Sequence, residues 1–338
     1  MKNYNLNEIN KIMALPIGEL LYKAQHLHRK NFQKSNIQLA SLISIKTGSC
    51  PEDCKYCPQS AHYNVDLKKE KLISLLALEN AAINAKKNGA QRFCMGAAWK
   101  KLNDGNDLQT IIKMIKIVKK INLEACVTLG NITEDQAHKL KEAGLDAYNH
   151  NIDTSPEFYR RIISTRTFDE RISTLEKVRK AGINVCSGGI IGMGESWIDR
   201  AKMLKILHDM KPHPESVPIN ALVPVNGTPL ENMKLVESLD IIRVIATARI
   251  IMPKSRIRLS AGRKNFSKDT QILCLLSGAN SIFYGDNLLT TENNSMSEDK
   301  RLIEVFTQED KNIRIYNLEE RDKEKSKNNV EELHSLKN

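Results

Sequence analysis

The chain has 338 residues and a formal net charge of +11, from 51 Lys and Arg against 40 Asp and Glu. The basic residues are scattered among acidic ones and only 5% of residues are aromatic, so the concentrated basic stripe of a nucleic-acid-binding surface is missing. No apolar run approaches the ~18 residues of a membrane span, and the first residues form no apolar signal core. We therefore expect a cytoplasmic protein that binds neither nucleic acid nor membrane.

Hydrophobic patterning divides the chain into a helical start and a long alternation of strands and helices. An amphipathic stretch over residues 6 to 34 predicts an N-terminal helical extension. From residue 38 onward, short apolar β-prone segments alternate with helix-like ones. The predicted strands lie near residues 38 to 46, 91 to 95, 123 to 129, 145 to 150, 183 to 188, 216 to 223, 256 to 260 and 279 to 284. The predicted helices lie at residues 75 to 88, 108 to 120, 134 to 143, 169 to 181, 197 to 210, 239 to 251 and 268 to 276.

The eight repeats predict an α/β fold, a (β/α)8 TIM-type barrel, rather than two separate domains. Parallel strands joined by right-handed helical crossovers close most simply into such a barrel. Left-handed glycines commonly end helices, and glycine follows four of the predicted helices, at Gly89, Gly144, Gly182 and Gly278. The predicted organisation is a helical extension at 1–37, the barrel at 38–320 and a charged tail at 321–338, which we expect to be disordered or a loose helix.

Three cysteines occupy one short loop after the first predicted strand. Cys50, Cys54 and Cys57 form a C-x3-C-x2-C cluster, and an odd total of seven cysteines in a cytosolic chain favours metal ligation over disulfides. A structural zinc or an electron-transfer iron–sulfur centre is normally closed by four protein ligands. Three thiolates therefore predict a centre with one open metal position, which can bind a substrate.

Further polar residues lie late in the predicted strands or just after them, where barrel enzymes gather their chemistry. Cys94, Cys126 and Cys186 lie in the second, third and fifth strands, and if they face the barrel axis they could hold a second, deeper metal centre. Taken singly, each strand cysteine is more often a small packing residue than a ligand. Cys274, in an apolar helix, is predicted to be core packing.

Two local motifs suggest ligand contacts. The polar run at 149–153 ends the fourth strand; it could be turn chemistry, but its donors and acceptors suit hydroxyl and urea-like ligands. The glycine-rich turn at 188–195 leads into a helix with Ser196 as its predicted N-cap, so backbone there can approach a ligand closely. It lacks the context of a dinucleotide fingerprint and has no Walker lysine, which disfavours NAD and ATP.

The combined motifs resemble the radical S-adenosylmethionine (SAM) superfamily and, more narrowly, the biotin synthase family. The superfamily features are the cysteine loop with Tyr56 before its third cysteine, and a G-x-I-x-G-x-x-E turn containing Ile190 and ending at Glu195. The narrower resemblance spans roughly residues 38 to 292, through the segments 44–48, 54–60, 92–100, 148–159, 185–189, 214–220, 258–263 and 279–285.

The resemblance implies a sulfurtransferase that inserts sulfur into dethiobiotin to form biotin, the last step of biotin biosynthesis. It implies a 4Fe–4S cluster that reduces SAM to a 5'-deoxyadenosyl radical, and a 2Fe–2S cluster that donates the sulfur. No residue is implied as an acid–base catalyst. The implied partners are dethiobiotin, a reduced flavodoxin- or ferredoxin-type electron donor, iron–sulfur assembly proteins and a second copy of the chain in a homodimer.

The resemblance also assigns residues. The implied cluster ligands are Cys50, Cys54 and Cys57 for 4Fe–4S, and Cys94, Cys126, Cys186 and Arg258 for 2Fe–2S. The implied SAM contacts are Tyr56, Gly96, Ala97, Asn151, Asp153, Arg171 and Ile190, and the implied dethiobiotin contacts are Asn151, Asn220, Thr290 and Thr291. Physical reasoning alone would not propose Arg258, because guanidinium holds its proton above pH ~12 and is a poor metal donor. Ser216 and Ser281 are predicted to orient it.

Two alternatives belong to other functional classes. Another radical SAM enzyme, such as a lyase or a methylthiolating relative, would share the loop cysteines without needing three strand cysteines and Arg258. A non-enzymatic metal-binding or nucleic-acid module would carry zinc, and nucleic-acid binding would weaken steeply with salt.

Overall fold

The predicted barrel is present in the computed structural model, which describes residues 2–32 and 37–307. The predicted tail at 321–338 lies outside the described residues. The strands are β1 (Gln38–Lys46), β2 (Arg92–Ala97), β3 (Glu124–Thr128), β4 (Ala147–Asn149), β5 (Asn184–Cys186), β6 (Gly189–Ile191), β7 (Ser216–Ala221), β8 (Arg256–Leu259) and β9 (Ser281–Phe283). They form one parallel sheet in the order β5-β4-β3-β2-β1-β9-β8-β7-β6, and β5 also pairs with β7, which closes the barrel.

Two short strands stand where one was predicted near 183 to 188: β5 lies within that range and β6 directly follows it, so the closed barrel keeps eight strand positions. The interruption lies at Ser187 and Gly188, where a Cβ on Gly188 would lie 1.9 Å from the Pro218 carbonyl oxygen. The Gly188 carbonyl turns to accept hydrogen bonds from the backbone N–H of Ile152 (3.0 Å) and Asp153 (3.3 Å). Only glycine allows this close approach, and it joins the polar run after β4 to the glycine-rich turn.

The helices in the described ranges are α1 (Leu6–Met13), α2 (Ile17–Asn31), α3 (Leu75–Lys87), α4 (Asn106–Lys120), α5 (Glu134–Glu142), α6 (Pro156–Ile162), α7 (Phe168–Lys180), α8 (Trp197–Asp209), α9 (Ser238–Ile251), α10 (Lys268–Leu276) and α11 (Met296–Thr307). The single amphipathic stretch predicted at the start is two helices, because Pro16 disfavours helical backbone in the residue before it. α6 and α11 were missed by the sequence patterning. Ser155 as N-cap and Pro156 at the first position are signals that could have revealed α6.

Local chemistry confirms several predicted boundaries. The four glycines predicted to end helices all have positive φ, from 72° at Gly182 to 106° at Gly278. Ser196 caps α8 by accepting a hydrogen bond from the backbone N–H of Asp199, as predicted. Cys274 is fully buried in the main apolar core, which confirms its predicted packing role. None of the described helices is long and apolar enough to cross a membrane.

Packing leaves a polar core inside the barrel and an apolar layer between the strands and the helices. α1 and α2 lie on the outside and pack against α8 and α9, burying Ile9 and Leu20. Inside the barrel, small side chains from successive strands meet at Ala40, Cys94, Cys126 and Ala147. The larger apolar side chains that pack against this described cluster are Leu42 and Phe283, and the small side chains leave room along the axis for polar groups and a ligand.

Candidate active site

A cavity of about 330 Å³ lies at the carboxyl ends of the strands, where the barrel fold leads us to expect chemistry. It brings together all but one of the predicted cluster ligands and predicted SAM and dethiobiotin contacts, together with Asn149 and His150. Those lining it are Cys50, Cys54, Tyr56, Cys57, Cys94, Gly96, Ala97, Cys126, Asn149, His150, Asn151, Asp153, Arg171, Ile190, Asn220, Arg258, Thr290 and Thr291. The exception, Cys186, is buried directly behind Asn149, whose Nδ2 lies 3.4 Å from its Sγ.

The cysteine loop is folded by its own backbone hydrogen bonds. The N–H of Cys50 donates to the Gln59 carbonyl at 2.9 Å, and the N–H of Ala61 donates back to the Cys50 carbonyl at 2.7 Å. A tighter turn joins the N–H of Cys57 to the Cys54 carbonyl at 2.9 Å. These bonds hold all three cysteines on the cavity wall.

Two acidic residues inside the loop fasten it to the segment after α6, a role that sequence reasoning missed. Asp53 Oδ1 accepts hydrogen bonds from the backbone N–H groups of Ser164 (2.9 Å) and Thr165 (3.1 Å). Glu52 is buried and pairs with Arg166 at 3.3 Å. Burial by itself raises the pKa of the Asp53 carboxyl, but its hydrogen bonds with Ser164 and Thr165 lower that pKa to about 2. The loop is therefore pre-organised by charge-assisted contacts from a distant part of the chain.

The chemistry of the loop thiols fits an iron–sulfur cluster. Burial raises the pKa of Cys57 to about 12 and raises those of Cys50 and Cys54 above their ordinary values. Thiolates buried in this way need a nearby cation, which a bound cluster provides. Within the described ranges, no three thiol, imidazole or carboxylate groups converge as ligands of a single metal ion. Because cysteines in a multi-iron cluster bind different iron atoms, three separated thiols on one wall fit such a cluster.

The strand cysteines form a second thiol set deeper in the barrel. Cys94 and Cys126 are directly paired between β2 and β3. The two belong to one small buried cluster, and Cys186 is buried on β5. Interaction with Cys126 lowers the pKa of Cys94 and of Cys186, and interaction with those two thiols raises the pKa of Cys126. Three buried thiols on strands of one barrel support the predicted ligand role over independent packing.

Arg258, the fourth predicted ligand of the inner set, is buried and held in place by neighbouring strands. Its Nε donates to the Ser281 hydroxyl at 2.9 Å, as predicted, and one terminal nitrogen donates to Gln38 Oε1 at 3.3 Å. The predicted contact with Ser216 is wrong, because the Ser216 hydroxyl is buried without a hydrogen-bond partner in the described structure. Gln38 takes the orienting role instead, and no local sequence signal pointed to it.

The predicted SAM contacts form a connected polar wall. Tyr56 donates from its hydroxyl to Asp153 Oδ2 at 3.0 Å, and the same oxygen lies 2.6 Å from an Arg171 terminal nitrogen. Burial raises the pKa of Asp153, and the Arg171 charge opposes that shift. Arg171 also donates to the Asn151 carbonyl at 2.8 Å. Arg171 thus fixes Asp153 and the backbone of Asn151, in addition to any ligand contact predicted for it.

The glycine-rich turn is closed by its own glutamate. Glu195 accepts hydrogen bonds from the backbone N–H groups of Gly192 (2.9 Å) and Met193 (2.8 Å), and Arg200 donates to the same carboxylate at 2.7 Å. The Ile190 N–H donates to the Asp153 carbonyl at 2.8 Å. The predicted turn motif therefore braces the strand segment that carries Ile190 against the polar run.

The cavity also offers polar atoms that no described protein group satisfies. His150 Nε2 and the Ser260 hydroxyl are buried, line the cavity and have no hydrogen-bond partner within the described residues. Asn220 is partly engaged, since its Nδ2 donates to the Gly189 carbonyl (3.0 Å) and its Oδ1 accepts from the Ala261 N–H (3.2 Å). The remaining amide capacity of Asn220 can serve a ligand.

The segment 288–291 covers part of the cavity and packs on β2. A Cβ built on Gly96 would lie 2.7 Å from Leu289 Cδ2. Gly96→Ala is therefore expected to displace this segment, together with Thr290 and Thr291, and to raise the KM for the substrate several-fold with a smaller loss of kcat. Adding Leu289→Val, which removes the obstructing atom, should recover much of the KM. Unchanged steady-state kinetics in the single variant would contradict the packing argument.

Comparisons with known proteins agree with this geometry. Residues 44–207 match the Radical SAM superfamily and residues 218–306 match the Biotin and Thiamin Synthesis associated domain. The chain is 56% identical over 302 residues to biotin synthase of Methylorubrum extorquens (strain PA1), covering 89% of this chain and 90% of that one. It is 54% identical over 304 residues to biotin synthase of Zymomonas mobilis, covering 90% and 91% of the two chains. The crystal structure of methylornithine synthase is similar in fold, with a TM-score of 0.78 at 19% identity over 91% of this chain and 94% of that one.

The barrel, the three-cysteine loop at its mouth and the superfamily match define a radical SAM enzyme. Identities above 50% over about nine-tenths of the chain narrow this class, and the chain belongs to the biotin synthase family. The resemblance inferred from the sequence motifs is thereby confirmed, while the individual residue roles remain predictions.

Proposed function

We propose that this chain makes biotin from dethiobiotin by radical insertion of sulfur. In this proposal Cys50, Cys54 and Cys57 hold a 4Fe–4S cluster, and Cys94, Cys126, Cys186 and Arg258 hold a 2Fe–2S cluster. The observation that carries it is the presence of two thiol sets in one barrel, one on the loop at the mouth and one buried on the strands. A radical SAM enzyme that only cleaves or rearranges its substrate needs the first set alone.

When bound, the 4Fe–4S cluster with SAM supplies a radical able to remove hydrogen from an unactivated carbon, and the 2Fe–2S cluster supplies the sulfur atom. Acid–base groups cannot activate such a carbon, so the work of the protein is placement. The wall of Tyr56, Asp153 and Arg171 offers a fixed carboxylate for the ribose hydroxyls of SAM. Correct placement of reacting groups is worth several orders of magnitude in rate.

The proposed dethiobiotin contacts line the same cavity as the loop thiols and the strand thiols Cys94 and Cys126. The ureido ring needs both donors and acceptors, and an asparagine amide offers both. Asn151 Oδ1 already accepts from the Gly188 N–H at 3.2 Å, which directs the amide while its Nδ2 remains for the ligand. Thr290 and Thr291, on the covering segment, are proposed to bind the carboxylate end. A substrate held in this way would lie between the radical source and the sulfur source.

Enclosure is the second task of the cavity residues. Leu42, Leu222 and Phe283 line the cavity alongside the polar wall, and Leu289 closes over Gly96. Apolar side chains exclude water and leave few groups from which a radical could take hydrogen other than the substrate.

We further propose a reduced flavodoxin- or ferredoxin-type electron donor, iron–sulfur assembly proteins and a homodimer as partners, and the cytoplasm as the location.

Anaerobic turnover tests the proposal. The protein, reconstituted with iron and sulfide and supplied with dethiobiotin, SAM and a chemical reductant, is expected to form biotin together with 5'-deoxyadenosine and methionine. Mössbauer spectra of the same sample should resolve two cluster types. Cleavage of SAM without biotin would indicate a different radical SAM reaction, and a colourless protein with stoichiometric zinc would indicate a structural metal module.

A further inference from the structure

A charged layer below the inner thiols has no part in the proposed function. Arg92 Nε donates to Glu124 Oε2 at 2.8 Å, and Gln38 Nε2 donates to the same oxygen at 2.9 Å. Gln38 Oε1 in turn accepts from Arg258 at 3.3 Å and from the Ser281 hydroxyl at 3.2 Å. A single glutamine side chain therefore links the Glu124 carboxylate to the predicted arginine ligand.

Strand register places this layer directly under the thiols. Arg92 pairs with Glu124, and two residues further on Cys94 pairs with Cys126. Because side chains two apart on a strand point to the same face, each member of the ion pair lies one step below a cysteine on its own strand. Arg92 is therefore a neighbour of the inner site rather than a surface residue.

The surroundings of Arg92 leave part of its charge uncompensated. Its side chain is 7% exposed, whereas that of Glu124 is 47% exposed, so water screens the carboxylate far more than the guanidinium. One terminal nitrogen, NH1, is buried with no hydrogen-bond partner among the described groups. A buried guanidinium one register step from Cys94 and Cys126 is stabilised by negative charge in the inner site.

We propose that Arg92 is a positioning residue that acts on the inner 2Fe–2S cluster through its charge. Its guanidinium is the second at this site, after that of Arg258, and its fixed positive charge stabilises the reduced cluster. Glu124 partly cancels that charge. This inference rests on the proposed function, since it needs a 2Fe–2S cluster at the strand cysteines. One-electron reduction adds one negative charge to the cluster, and nearby charge is among the factors that set cluster potentials. Arg92 then makes reduction easier, and Glu124 makes it harder.

Removing the positive charge of Arg92 and removing the negative charge of Glu124 should shift the 2Fe–2S midpoint potential in opposite directions. In the anaerobically reconstituted full-length protein, Arg92→Gln is expected to move the 2Fe–2S midpoint potential to more negative values, and Glu124→Gln to less negative values. The potentials are measured by redox titration followed through the visible and circular dichroism spectra of the cluster. The 4Fe–4S potential should stay constant, because that cluster is proposed to lie at the other end of the barrel.

A matched control uses an ion pair at the same end of the barrel but outside it. Arg179, on α7, pairs with Glu215 just before β7. Arg179→Gln removes a comparable cation that is carried by a helix rather than by a barrel strand, leaves the Glu215 hydrogen bond to the Val185 N–H in place, and is expected to shift neither potential. If Arg92→Gln does not fold, Arg92→Lys keeps the charge, so its potential should stay close to that of the parent protein while Glu124→Gln still shifts.

Two results would overturn the inference. If the 2Fe–2S midpoint potential shifts in the same direction in Arg92→Gln and Glu124→Gln, the cause is a general disturbance of packing. If it is unchanged in both variants, the charges of Arg92 and Glu124 do not affect the cluster. Either result contradicts the proposed role of Arg92, provided that the parent protein contains the 2Fe–2S cluster. A parent protein that never assembles that cluster contradicts the proposed function instead.

Discussion

Replacing Cys54 with alanine is expected to abolish both SAM cleavage and biotin formation. Cys54 is one of only three thiols in the loop, is buried on the cavity wall, and turns the loop back through its carbonyl. Two remaining thiols cannot hold the proposed cluster, which needs all three loop thiols and leaves one iron open for SAM. The expected result is loss of the 4Fe–4S Mössbauer signal, and no detectable 5'-deoxyadenosine, with the 2Fe–2S signal retained.

Cys274→Ala is the matched control for this experiment. Cys274 is also buried, but it lies in α10 within the main apolar core, which contains none of the loop or strand cysteines. Its replacement should lower thermal stability while leaving both clusters and SAM cleavage intact. A Cys54→Ala protein that still forms 5'-deoxyadenosine at the parental rate would show that the loop cysteines do not hold the SAM-binding cluster.

Replacing Cys126 with alanine is expected to separate SAM cleavage from sulfur insertion. Cys126 is the middle thiol of the inner set in strand order, and it pairs with Cys94 on the neighbouring strand. In the proposed function its loss removes a cluster ligand, so the 2Fe–2S signal should disappear while the 4Fe–4S signal remains. The variant should therefore produce 5'-deoxyadenosine from SAM but no biotin.

The distribution of products decides the outcome. Biotin formed by Cys126→Ala without added sulfide would place the sulfur source elsewhere. Loss of the 4Fe–4S signal, with the 2Fe–2S signal retained, would reverse the proposed division between loop and strand cysteines. Iron and sulfide counts on the same samples distinguish loss of a cluster from a change in its spectrum.

The barrel could be predicted from sequence because its strands are short apolar runs separated by amphipathic helices. Each predicted strand lies within a few residues of its observed position, and the register that joins Cys94 to Cys126 follows from closing the sheet. The split of the fifth strand could not be predicted in the same way. It depends on the distance from Gly188 to Pro218 on another strand, which no local pattern contains.

The same distinction applies to the site: residues grouped in the sequence could be predicted, whereas contacts between distant residues could not. The loop cysteines were evident from spacing, because all three ligands lie within eight residues. Arg258 was available only through family resemblance, since its chemistry argues against metal binding. The anchors of the loop at 164–166 and the contact of Gln38 with Arg258 join residues more than 100 positions apart, so only the folded chain reveals them.

The hydrogen bond between Gln38 and Ser281 also sets the order in which the molecule can be completed. It joins the first strand to the last across 243 positions, and β1 and β9 are neighbours only in the closed ring. A chain still emerging from the ribosome has no β9 to pair with β1, so Arg258 lacks its Ser281 partner until synthesis is nearly finished. The inner site is thus built by the same late, long-range step that closes the barrel. Insertion of the proposed 2Fe–2S cluster is therefore expected to follow translation of almost the whole protein.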